Sequence, residues 1–255
     1  MRNIKQKIAE KLTTIEEAEH VKILYAAESG SRAWGVESAD SDYDVRFIYV
    51  RPEHDYLSLQ EKRDVIEWQL DEILDINGWD LKKALIQFHK GNATLFEWAN
   101  SPIIYRTTEE WDELYPYCQS YFSVKAALYH YYGTAASAWK QFLQGNEVNY
   151  KKYIYALRPL LACNYIEKHH TIPPVTFHEL LNQSLPEQLT EEIRSMLSIK
   201  AKSRESELHP KLPVIHTYIE DKIAVFGQLS KSIEDDRTPD WDILQAVFLK
   251  LVKRS

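Results

Sequence analysis

The sequence predicts an α+β protein, with a strand-bearing N-terminal unit over residues 1–105 and a helical C-terminal unit over residues 106–255. Three observations carry this reading. The apolar run Val21–Ala27 ends at Glu28-Ser29-Gly30, the pattern of a buried strand meeting a turn. A second extended run, Asp42–Val50, stops at Arg51-Pro52. From about residue 90 onward apolar residues fall almost wholly at helical spacing, and only 7 glycines interrupt the whole chain.

The elements follow in order. Ile4, Ile8 and Leu12 share one helical face and predict a short N-terminal helix. After the first strand, Ser31–Trp34 begins a short helix that Ser29 or Ser31 can cap. Val36–Ser41 reads as a polar loop and Asp42–Val50 as the second strand. Val65–Leu70, rich in bulky residues, predicts a third strand, and Asp71–Ile76 a fourth. Asn77-Gly78 reads as a break, after which Trp79, Lys82, Lys83 and Leu85–Phe88 keep helical spacing. Gly91-Asn92 separates that helix from Ala93–Trp98. A long amphipathic helix is predicted over Tyr121–Gln144, closed by Gly145-Asn146, and another over Tyr150–His170, closed before Pro173-Pro174. Further helices are expected around Phe177, over Leu185–Lys200, over Leu212–Phe226 and near Trp241–Val252.

Composition narrows the function classes. Hydrophobic residues at 44% and charged residues at 27% are those of an ordinary folded domain. A net charge of −7 argues against a broad basic surface and against tight nonspecific binding to long nucleic acid. Cys118 and Cys163 form no CxxC pair, and the N-terminal residues carry no apolar signal-peptide core, so free buried thiols and a cytoplasmic location are expected. No stretch approaches the roughly 20 apolar residues of a membrane span.

The chemistry concentrates between residues 29 and 46. Residues i and i+2 of a strand share a face, so Asp42 and Asp44 point together, and two converging carboxylates favour a divalent cation between them. Gly30-Ser31, in the turn before them, offers backbone N–H groups to phosphate oxygens, with Arg32 alongside. A third carboxylate completes an oxygen-ligand set for Mg²⁺. Asp75 is favoured for it over Asp71 because it lies at the exit of its predicted strand. Arg46 continues the face of Asp42 and Asp44, placed to pin a carboxylate or touch a phosphate. Downstream, Lys151, Tyr155 and Arg158 lie along one helix face beside Lys152, a stripe suited to phosphate and base or ribose. Taken singly, each motif has a plainer reading. An isolated D-x-D is commonly a solvated loop, a Lys/Arg stripe an ordinary charged face, and Asp80 a first-turn helix acid. His169-His170 lacks a third ligand at metal spacing, and no Ser/His/Asp elbow, Walker loop or Rossmann glycine fingerprint is present.

Gly30-Ser31 with Ser41-Asp42-Tyr43-Asp44 resembles the G-S…D-x-D signature of the DNA polymerase beta nucleotidyltransferase superfamily. The finer pattern, Gly-Ser-Arg-Ala-Trp-Gly followed by Ser-Asp-Tyr-Asp-Val-Arg, is similar to its RlaP-like (YcgL-like) branch of predicted nucleotidyltransferases. So are Asp75-Ile-Asn-Gly-Trp-Asp-Leu-Lys-Lys, Gly91-Asn92 through Glu97-Trp98, and Lys151-Lys152-Tyr153 through Leu160. The resemblance covers most of residues 20–181, and this chain has Asn92-Ala93 where the branch often has Asn-Pro. It implies a polymerase-beta-like core, a small mixed sheet flanked by helices, with a helical domain closing over the nucleotide. It implies Asp42 and Asp44 as metal ligands, Asp75 as the third carboxylate, and Gly30-Ser31 as the phosphate turn. The expected activity is Mg²⁺-dependent transfer of an NMP from an NTP to a hydroxyl, with two ions in the active complex and pyrophosphate released. Gly30, Ser31, Arg32, Lys152, Tyr155 and Arg158 are the expected nucleotide-binding residues. The acceptor is an RNA end, a small molecule of the aminoglycoside type or a protein hydroxyl. A catalytically silent nucleotide sensor on the same fold is the alternative.

Overall fold

The structure is a computed structural model that describes residues 4–38, 41–71, 73–200, 207–235 and 237–254. In chain order the elements are α1 (Ile4–Glu19), β1 (Lys22–Ser29), α2 (Gly30–Ala33), β2 (Tyr43–Val50), α3 (Glu53–Tyr56), β3 (Val65–Asp71), β4 (Leu74–Asp80), α4 (Leu81–His89), α5 (Ala93–Ala99), β5 (Ile104–Thr107) and α6 (Glu109–Gln119). They continue as α7 (Val124–Phe142), β6 (Glu147–Val148), α8 (Tyr150–His169), α9 (Phe177–Leu181), α10 (Glu187–Lys200), β7 (His209–Pro210), α11 (Pro213–Ser232) and α12 (Asp242–Val252).

Two compact units are distinguishable. The first takes the described residues up to Ala33, Ser41–Phe122, and those from Arg237 onward. It is built on a mixed sheet of order β3-β4-β2-β1-β5. β1 pairs antiparallel with β2 and β5, β2 parallel with β4, and β3 antiparallel with β4. The second unit holds Trp34 to 38 and Ser123 to 235 and is helical, with α7 and α8 packed together and α11 against both. A two-residue pairing, Glu147↔Pro210 and Val148↔His209, joins β6 to β7 within it.

The sheet is covered on both faces, which is why β1 reads as a continuous apolar run rather than an alternating one. Ile8, Leu12 and Ile15 of α1 share one core cluster with Ile23, Val45, Phe47, Tyr49, Ile66, Leu74 and Ile76. From the same strand, Tyr25 stacks on Trp111 of α6, ring centroids 4.5 Å apart, and its hydroxyl donates to the Trp98 carbonyl at 3.0 Å. Cys118 and Cys163 are both free and buried, as the sequence led us to expect.

The structure corrects four assignments. Asp71 and Asp75 do not share a strand: Asp71 ends β3, whose side chain there lies outside the described ones, and Asp75 is in β4. Asn77-Gly78 is strand, not break, and α4 begins at Leu81. The reason is Phe47, since a Cβ at position 78 would stand 2.1 Å from its Cε2, so the strand needs glycine where the ring crosses it. Asp80, rather than sitting in the first turn, is the N-cap of α4, its carboxylate accepting from the Lys82 N–H at 2.8 Å. Finally, β5 interrupts a region predicted to be almost wholly helical and supplies the strand beside β1.

Candidate functional site

The sheet's topology gathers the acidic residues at one of its ends. Because β1 and β2 are antiparallel, the exit of β1 lies beside the entry of β2, and Ser29 pairs with Asp44. Because β2 and β4 are parallel, their entries also lie together, and Asp44 pairs with Asp75. One row across three strands therefore reads Ser29, Asp44, Asp75. Asp42 precedes β2 in an exposed position, its carboxylate near enough to act on Asp44 electrostatically.

Gly30 follows the row directly and opens α2 with φ of +63°. A Cβ here would meet Asp44 Oδ2 at 2.4 Å, so only glycine lets this carboxylate lie against the turn. The Gly-Ser turn and the first strand carboxylate are thus neighbours in space, separated by nothing larger than a hydrogen atom. Ser31 sits in the same four-residue helix, partly exposed.

Arg32 is engaged with the loop that carries Asp42. Its Nε donates to the Asp42 carbonyl at 2.9 Å and its Nη2 to the Ser41 carbonyl at 2.6 Å, while the guanidinium lies 3.7 Å over the Tyr43 ring. Two bonds and a stack from one planar group fix the backbone immediately before Asp44.

Arg46 bridges the two paired carboxylates. Its Nη2 donates to Asp44 Oδ1 at 3.1 Å and to Asp75 Oδ2 at 2.8 Å, and its Nη1 donates to the Val45 carbonyl at 3.1 Å. The other oxygen of Asp75, Oδ1, accepts from Asn77 Nδ2 at 2.9 Å. Burial pushes the Asp44 carboxyl upward from its ordinary range; Arg46 opposes this, whereas the charges of Asp75 and Asp42 add to it.

Sequence reasoning missed Glu28. It is 1% exposed, accepts the Asp44 backbone N–H at 2.7 Å and also accepts the Tyr105 hydroxyl. Burial pushes its carboxyl up, against the hydrogen bonds from Tyr105 and the Asp44 backbone. The signal was there in part: a lone acid closing an apolar strand two residues before Gly30. Its partner Tyr105 belongs to β5, which the sequence did not disclose.

The remaining expected residues lie in the second unit. Lys152 Nζ stands 4.2 Å over the Phe142 ring and 5.0 Å over the Tyr155 ring, and Tyr155 meets Trp34 edge-on at 5.9 Å. Arg158 is buried, its guanidinium 4.5 Å over Trp34 and its Nε and Nη2 donating to the Val175 carbonyl at 3.1 and 3.0 Å. Helix α8 runs through Pro159 without ending, and His170 closes it in the left-handed conformation.

Asp42, Asp44 and Asp75 are hard oxygen donors of the kind Mg²⁺ prefers, and the glycine cradle leaves Asp44 Oδ2 open beside the turn. The donors fit such an ion in kind. In the described arrangement the Arg46 guanidinium neutralises the pair. Among the described residues no group of three His, Cys, Asp or Glu is disposed to hold a metal ion. Also among the described residues, no helix is long and apolar enough to cross a membrane.

Comparison with known proteins identifies the family. Residues 4–250 match the family described as RlaP, the RNA repair pathway DNA polymerase beta family. The chain is 43% identical over 254 residues to the protein YcgL of Bacillus subtilis (strain 168), covering 98% of this chain and 97% of that one. A crystal structure of a nucleotidyltransferase-like protein from Exiguobacterium sibiricum aligns over 99% of this chain and 80% of its own, at 14% identity and a TM-score of 0.30. The family match extends over nearly the whole length, and the chain belongs to the RlaP family, the RNA repair pathway DNA polymerase beta family.

Proposed function

We propose that this protein is a Mg²⁺-dependent nucleotidyltransferase that moves an NMP from an NTP to a hydroxyl acceptor. The observation that carries the reading is the contact of the Gly30 turn with Asp44, itself in register with Asp75. A turn offering backbone N–H groups beside paired carboxylates suits a substrate made of phosphates and a counter-cation.

In this reading Gly30 and Ser31 hold the terminal phosphates, and Asp42, Asp44 and Asp75 hold the metal. The bound ions would neutralise the triphosphate and bring it to the acceptor hydroxyl. That hydroxyl oxygen forms a bond to the α-phosphorus, the bond to the bridging oxygen breaks, and pyrophosphate leaves. The hydroxyl proton passes to a carboxylate of the set. Arg32 and Glu28 act as positioning residues, holding the Asp42 carbonyl and the Asp44 backbone N–H respectively. An RNA end is the acceptor favoured by the family's description, followed by a small cationic molecule and a protein hydroxyl.

A second reading, a catalytically silent nucleotide binder, is favoured by the Arg46 bridge, which already neutralises Asp44 and Asp75. The two separate in one experiment. NTPs labelled at the α-phosphate are incubated with Mg²⁺ and short RNAs, aminoglycosides or protein extract. Label moving onto an acceptor supports the transferase. NTP binding without such movement supports the silent binder.

A further inference from the structure

Trp34 follows the last residue of α2 directly, so whatever holds Trp34 also holds the chain leaving the Gly30 turn. Three groups hold it. The Arg158 guanidinium lies 4.5 Å over its ring, Tyr155 meets the ring edge-on at 5.9 Å, and its carbonyl accepts the Phe177 N–H at 2.8 Å. Lys200 fixes the next residues, its Nζ donating to the Val36 carbonyl at 2.7 Å and to the Ser38 hydroxyl at 3.1 Å. The link that runs from Gly30-Ser31 toward Asp42 is thus anchored by α8, α9 and α10. We infer that Arg158 is a positioning residue that serves the Gly30 turn through Trp34, and that it does not bind the phosphates of the nucleotide. The inference rests on the transferase reading given above and gives this arginine a different role within it.

The physical case has three parts. Arg158 is 3% exposed, and its Nε and Nη2 converge on the Val175 carbonyl, so reaching a phosphate would mean abandoning a buried acceptor. The edge and the face of its planar group have separate tasks. The edge fixes Val175, two residues before the Phe177 N–H that bonds Trp34, and the face covers the Trp34 ring. One guanidinium thereby steadies both partners of that hydrogen bond. Lastly, α2 is only four residues long, too short to keep its own conformation in water, so its exit depends on where Trp34 is held.

The consequence for turnover has a definite form. Releasing Trp34 frees the turn on one side, while Gly30 stays packed against Asp44 on the other. The backbone N–H groups of the turn are still present, so phosphates still bind. Attack at phosphorus tolerates displacement far less than binding does, so the rate suffers before the affinity.

The test is label transfer by the full chain from NTPs labelled at the α-phosphate, with Mg²⁺ and the acceptors named above, beside amide hydrogen exchange of residues 29–38 read by mass spectrometry. Arg158→Lys keeps the charge but neither the planar fork nor the stacking face. It is expected to lower kcat about 10- to 100-fold with KM for the NTP little changed, the pattern of lost positioning. Exchange over residues 29–38 is expected to quicken about tenfold. Trp34→Leu is expected to do the same, and the double variant to be no worse than the worse single, because both changes break one contact. A wild-type kcat in Arg158→Lys, a raised KM with kcat intact, or losses that multiply in the double variant would each overturn the proposal. Should Arg158→Lys not fold, Trp34→Leu decides alone: slower turnover with faster exchange supports the proposal, and wild-type values of both overturn it. No transfer by wild type removes the transferase reading instead. The exchange comparison then still decides the clamp, which faster exchange in the variants supports and unchanged exchange overturns.

Discussion

Gly30 and Asp44 approach so closely that a methyl group on residue 30 would overlap the carboxylate, its carbon 2.4 Å from Asp44 Oδ2. The turn and the carboxylate are built as one piece, and the backbone conformation at residue 30, φ +63°, enforces the same choice of residue. Gly30→Ala therefore meets two penalties. Placing an L-residue in that conformation costs about 1–2 kcal/mol, and the carboxylate must also move. Urea denaturation measures the first and Mn²⁺ or nucleotide affinity the second. Unchanged stability together with unchanged affinity would contradict the contact.

Gly78 is a second enforced glycine, but for packing rather than for φ. Its absent Cβ lies where the Phe47 ring passes, 2.1 Å from Cε2. Gly78→Ala is expected to lower unfolding free energy by about 1–3 kcal/mol, the usual range for an overfilled core. In a Phe47→Leu background the same change is expected to do less harm, with a coupling of about 0.5–3 kcal/mol in a double-mutant cycle. Strict additivity would place the strain elsewhere.

How much was legible in the sequence turns on such residues. The α+β class, β1, the entry of β2 and the long helices α7 and α8 follow from periodicity, because each is long and its neighbours are ordinary breakers. Asn77-Gly78 imitates a breaker, yet its glycine answers to a ring 31 residues earlier, a tertiary demand that no local pattern records. β5 is four residues without alternation, and its ends are exposed. With β5 hidden, Tyr105 and hence the role of Glu28 were hidden too. Arg46 was placed on the right face, but that it would hold Asp44 and Asp75 at once depended on the parallel pairing of β2 with β4. The return of α12 to the sheet's unit rests on packing against α4 and α6, far off in sequence.

Asp80 gives a pH-dependent prediction away from the site. Burial pushes its carboxyl up from 3.8, with Tyr56 and the Lys82 N–H only partly offsetting that. A raised carboxyl favours the protonated form in the folded state. Its contribution to stability is thus fully present below pH 3.8 and is lost as pH rises through the raised value. Asp80→Asn keeps a capping side chain and removes the titration. The stability of wild type minus that of the variant is therefore expected to fall as pH rises from about 3.8. Chemical denaturation at several pH values measures it, and a difference that grows with pH would contradict the assignment.

Arg32 straps the Ser41–Asp42 backbone with two hydrogen bonds and lies over Tyr43. Lysine has neither the planar fork nor the stacking face, so Arg32→Lys is expected to behave almost as Arg32→Ala. Each is expected to lose about 1 kcal/mol of stability and to weaken the turnover rate more than the apparent nucleotide affinity. Full rescue by lysine would mean that charge alone matters at this position.

The measurement that bears most directly on the central claim is pyrophosphate release with Mg²⁺, each of the four NTPs, and a mixture of short RNA, aminoglycosides and cell lysate. Wild type is compared with the Asp42→Ala, Asp44→Ala double variant, whose fold is checked by circular dichroism. The account predicts release that requires Mg²⁺ and an acceptor and that vanishes in the double variant while its fold persists. Release at an unchanged rate from the double variant, or none from wild type under any combination, would contradict it.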